Sequence, residues 1–85
     1  MKYENMPVAE ARELDAPIMA EAISTLEMAG LDVRRPPKNA HQLKVTRETS
    51  YYPSTGVIYT DGDREAQAER GIKALLAYLH QRGEM

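Results

Sequence analysis

Apolar residues in this chain recur at two periods, and the switch between them constrains the fold more than any single residue. Met19, Ala22, Ile23 and Leu26 fall at i, i+3, i+4 and i+7, one stripe along a helix. Ala68, Ile72, Leu75, Leu76 and Leu79 draw a second helical stripe near the C-terminal end. Between them, Leu31-Asp32-Val33-Arg34-Arg35 and His41-Gln42-Leu43-Lys44-Val45-Thr46-Arg47 alternate apolar with polar, as half-buried strands do. Val57-Ile58-Tyr59-Thr60 is the returning strand of a hairpin. The order predicts an α+β fold, α-β-β-β-α: a three-stranded antiparallel sheet with two helices on one face, as a single domain over 1–85.

Breakers sharpen these boundaries. Residues 7–15 are helix-compatible up to Pro17, which a helix interior rejects. Asp15 is therefore expected as the N-cap, and Ala16-Pro17 as the opening, of the main helix, with Gly30 as its left-handed end. Pro36-Pro37-Lys38-Asn39 stops the first strand, because neither proline can donate to a ladder. Tyr51-Tyr52 leads into Pro53-Ser54-Thr55-Gly56, a hairpin tip in which Gly56 supplies positive φ. Asp61-Gly62-Asp63 is a further turn, with Asp63 a suitable N-cap for the last helix. Gly71 lies inside that stretch: either it allows close helix–sheet approach, or the helix begins near Arg70 and 64–69 is looser.

Composition then excludes several classes. The 85 residues contain no Phe, no Trp and no Cys, so the core must come from aliphatics and some of the five Tyr. Without cysteine there is no disulfide scaffold, zinc ribbon or thiol-redox site. No apolar run approaches the roughly 20 residues of a membrane span, and Met1-Lys2-Tyr3-Glu4-Asn5 lacks a signal-peptide core. A cytoplasmic domain is expected, without a membrane partner.

Enzymatic chemistry finds little footing. His41 and His80 have no carboxylate at a ligand interval, and Asp61-Gly62-Asp63 lacks a calcium-loop glutamate, since Ile72 stands at that position. No metal and no cofactor are expected. Ser24, Ser50, Ser54 and Thr55 have no histidine–acid pair near them in sequence, so no catalytic residue is assigned.

Charge is segregated beneath a net −2. Residues 33–47 carry Arg34, Arg35, Lys38, Lys44 and Arg47, with His41 and no acid. Residues 1–32 carry seven acids against two bases. Cations for a phosphate backbone and flat rings for bases are what nucleic-acid-binding sheets need. Arg34, Arg35, Lys38, His41, Lys44 and Arg47 precede Tyr51 and Tyr52, while Ser54, Thr55 and the Gly56 N–H could donate to a phosphate. The expectation is a non-enzymatic module contacting nucleic acid or nucleotide phosphates through these residues. The plainer account has the bases paired with acids and the tyrosines in the core. The alternative function is a protein–protein inhibitor whose acidic helical face, Glu10, Glu13, Glu21 and Glu27, mimics a phosphate backbone to a basic host protein. Self-association as a homodimer through a bare sheet edge could accompany either.

His41-Gln42-Leu43-Lys44-Val45, Tyr52-Pro53-Ser54-Thr55-Gly56-Val57-Ile58-Tyr59, Asp61-Gly62 and Arg70-Gly71-Ile72 before an apolar helix, spanning 41–79, are similar to a module of short uncharacterised phage and prophage proteins. The resemblance implies an accessory protein that acts by binding, a class that includes inhibitors of host defence. The αβββα order also resembles double-stranded RNA-binding domains, and Ile18 through Val45 resembles the recognition helix, strand and wing of a winged helix.

Overall fold

Pro17 starts the first helix as the pattern requires. In the computed structural model, which describes residues 2–85, α1 spans Pro17–Met28, with proline in its first turn where no amide hydrogen is needed. Met19, Ala22, Ile23 and Leu26 are its buried residues, the predicted stripe. Gly30 has φ +90°, and Leu31 N–H reaches back to Leu26 O at 3.2 Å, a left-handed termination that returns the chain toward the core.

Three antiparallel strands follow in the order β1 (Leu43–Lys44), β2 (Thr49–Tyr52) and β3 (Val57–Thr60), and α2 spans Ile72–Gln81. Leu43 pairs with Tyr51 and Tyr51 with Ile58, which puts these three on one face. They join Met19, Ala22, Ile23 and Leu26 of α1 and Leu75 and Leu79 of α2 in one buried cluster, so both helices serve the same face. Thr60 Oγ1 and the Tyr78 hydroxyl, 2.5 Å apart, tie β3 to α2 on that side. The α-β-β-β-α order and α+β class are as the sequence indicates. No helix among the described residues is long and apolar enough to cross a membrane. Met1 lies outside the described residues.

Four expectations about the chain before the last helix are corrected. Residues 7–15 are not helical; a short 3-10 helix at Tyr3–Asn5 is the only helical turn before α1 among the described residues. Asp15 does not cap α1. The cap position is Ala16, because the Asp15 carboxylate is taken by the Arg12 N–H at 2.7 Å and by Arg35. Residues 31–35 form no strand of their own, only bridges from Arg34 to Val8 and to Lys44, since Pro36 ends the extended run. The strand expected over 41–47 is likewise short, because the chain turns at 46–48 into β2.

The last helix begins at Ile72, with Gly71 as its N-cap at φ +101°, and not at Asp63. Residues 64–70 run beside β3 instead: Gln67 N–H donates to Ile58 O at 2.8 Å and Gly71 N–H to Gly56 O at 2.9 Å. On the far side of the sheet, Arg34 and Lys44 exchange two backbone bonds at 2.8 Å, and 7–9 pairs in turn with 33–35. Both margins of the sheet are thus partly covered by neighbouring segments of the chain.

Candidate functional site

The basic run of 33–47 does not assemble into one surface. Period-2 alternation explains why. Val33 and Arg35 share the inward side of their segment while Arg34 points out beside Lys44, so Arg35 enters the interior at 1% exposure. There its guanidinium makes two bonds of 2.6 Å to Asp15, with further bonds to Glu10 O at 3.0 Å and Ala40 O at 2.9 Å. A guanidinium that donates to four acceptors within the fold is spent on structure. The same bonds, and that from Arg12 N–H, hold the Asp15 carboxyl well below the usual carboxylate range.

Three further cations of the run are engaged as well. Arg34 grips Asp32 through two nitrogens at 2.8 and 3.0 Å, bonds Met6 O at 2.9 Å, and lies over the Tyr3 ring. That pairing lowers the Asp32 pKa. Lys44 is buried and reaches Asp61 at 2.7 Å, and Arg47 pairs with Glu4. The acids come from the N-terminal segment and the loops, not from α1 or α2. Lys38 and His41 are exposed and belong to no ion pair among the described residues.

The aromatic and hydroxyl residues separate by face. Tyr51 is buried in the core, where loss of water raises its pKa, and Tyr52 is half-buried on the opposite face. Ser54 and Thr55 are exposed at the hairpin tip. The Gly56 N–H cannot serve a phosphate, because it donates to Tyr52 O at 2.7 Å, and Thr55 N–H bonds the same oxygen at 3.2 Å. Gly56 is instead a packing device. At φ +76° a Cβ there would stand 2.8 Å from the Gly71 nitrogen, so the two glycines of the Tyr-Pro-Ser-Thr-Gly and Arg-Gly-Ile motifs meet.

Two clefts hold sequence-derived candidates: Tyr51, Ser54 and Thr55 line one together with Arg70, and His41 and Ser54 share a second. The second lies between the α1 approach and the hairpin tip, with Arg12 and Leu14 on its walls. Arg34, Arg35, Lys44 and Arg47 are each committed to an acid, and Tyr51 faces the core.

A different surface is open. Glu10, Glu13, Glu21 and Glu27 are all exposed, and none joins an ion pair among the described residues. Large apolar side chains are exposed among them: Leu14 at 97%, Met28 at 85%, Val8 at 52% and Ile18. Scattered single apolar residues are ordinary on a protein surface, but these four fall within 8–28 and line clefts in pairs, Val8 with Met28 and Leu14 with Ile18. The missed signal was in the sequence. Leu14 and Met28 fall off the Met19–Leu26 stripe, and no other helical stripe claims them. No group of three His, Asp or Glu among the described residues could hold a metal ion. Comparison with protein-family models, curated proteins and solved structures found no match to this chain.

Proposed function

We propose that this chain is a non-enzymatic binding protein that engages a basic partner protein through the surface of residues 8–15 and α1. Its carboxylates would stand in for a nucleic-acid backbone. One contrast carries the reading. Arg35 and Lys44 are buried against Asp15 and Asp61, and Arg34 grips Asp32, whereas Glu10, Glu13, Glu21 and Glu27 project into water unpaired among the described residues. Arg12 is the one base within 8–28 against Glu10, Glu13, Glu21 and Glu27, and this excess of exposed carboxylates presents a negative potential, which steers a positively charged partner. The exposed Leu14, Ile18 and Met28 supply the apolar contact that electrostatics alone does not. The likeness of 41–79 to phage accessory proteins suggests a host protein, such as a defence factor that itself binds nucleic acid.

A second reading, contact with nucleic-acid or nucleotide phosphates, draws its support from Lys38, His41, Arg47, Ser54 and Thr55, which stay exposed, and from the cleft that His41 and Ser54 share. Fluorescence anisotropy separates the two. A labelled Lys/Arg-rich peptide and a labelled single-stranded oligonucleotide are titrated at about 50 mM salt. The proposal expects the peptide to bind, and Glu21→Lys with Glu27→Lys to weaken it by about tenfold or more while Lys38→Glu with Arg47→Glu spares it. Oligonucleotide binding that disappears on reversing Lys38 and Arg47, with no peptide binding, would overturn it.

A further inference from the structure

Between residues 8–11 and α1 runs a groove of about 610 Å³. Small side chains line it from both sides, Ala11 from the N-terminal segment and Ala20 from the helix, together with the buried Ile23. Val8 and Met28 stand at its rim with most of their apolar surface in water. Glu10 and Glu27 flank it, and none of the described residues lining it is basic. A groove of this size takes one or two large apolar side chains, within the range of ordinary ligand clefts. Its flanking charge selects a cationic neighbour for them.

We propose that a Lys/Arg-rich amphipathic segment of a second protein docks in this groove. Its apolar face seats against Ala20, Ile23 and Met28, and its cations reach Glu10 and Glu27. The inference deepens the binding function proposed above and rests on it. An unbranched, polarizable methionine at the rim suits such a contact, because it can repack around different apolar anchors.

The test uses the full chain and two labelled peptides of identical Lys, Arg and Leu composition, about 14 residues long, enough for roughly four helical turns. One has an apolar stripe at helical spacing; in the other the order is scrambled. The proposal expects the striped peptide to bind about tenfold tighter or more, and Ala20→Phe, which fills the groove, to abolish that preference. Should Ala20→Phe unfold the chain, Met28→Ala decides, because an exposed side chain can be shortened on an intact fold; it should reduce the preference severalfold. Equal binding of both peptides, lost in the Glu21→Lys/Glu27→Lys chain, overturns the groove and leaves the acidic-face function standing. Binding of neither peptide overturns both.

Discussion

Gly56→Ala isolates the contact that joins the hairpin to the second helix. The native backbone is at φ +76°, a region that costs an L residue about 1–2 kcal/mol. A Cβ would also lie 2.8 Å from the Gly71 nitrogen and 3.2 Å from its Cα. Both are backbone atoms, and that nitrogen is bonded to Gly56 O, so they cannot rotate aside as a side-chain tip would. Relieving the overlap by shifting backbone adds about 1–3 kcal/mol. The sum, about 2–5 kcal/mol, is a large part of the roughly 4–13 kcal/mol typical of a chain this long. Melting should fall by the order of 10–30 °C. Gly30→Ala is the control: φ is +90° but no atom lies within 4 Å of its added Cβ, so only the backbone cost of about 1–2 kcal/mol applies. Urea unfolding followed by circular dichroism measures both. Equal losses in the two variants would refute the close approach and, with it, the structural role assigned to the paired glycine motifs.

Three further outcomes follow from the interior. Asp15 and Asp32 have depressed pKa values, so their pairs stabilise the fold above the ordinary carboxylate value of 3.8, and that stability is lost as pH falls below it. Melting temperature should therefore drop on acidification below about pH 4, and less steeply in Asp15→Asn, which starts lower at neutral pH. Leu26→Ala, at a side chain with 0% exposure, should cost about 2–5 kcal/mol by urea titration. Tyr78→Phe removes the 2.5 Å bond to the buried Thr60 hydroxyl and should cost about 0.5–1.5 kcal/mol, an order of magnitude that chemical denaturation resolves.

Periodicity made the helices and the hairpin legible because burial acts on individual elements. The Met19–Leu26 and Leu75–Leu79 stripes, and the Leu43, Tyr51 and Ile58 positions, are apolar wherever the core requires it. Local signals read alone were less informative. Asp15 and Asp63 have the chemistry of N-caps, yet neither caps a helix: Asp15 is claimed by Arg35 from across the fold, and the chain after Asp63 is held along β3 by Gln67 and Gly71. The basic run misled for a related reason. Five cations within fifteen positions suggest one patch, but alternation sends Arg35 inward to Asp15, distant in sequence, and Arg34 outward to its near neighbour Asp32.

From the chain alone came the α-β-β-β-α order, the aliphatic core without Phe or Trp, and the glycine-marked turn at the hairpin tip. These depend on hydrophobic spacing and φ preferences, which each short segment carries by itself. Which charges stay free was decided only when the segments packed. Ion pairing joins residues that the sequence separates by as many as 43 positions, as in Glu4 and Arg47. A buried guanidinium must find its carboxylate wherever the fold supplies one, and the carboxylates left over on α1 are those the fold did not need.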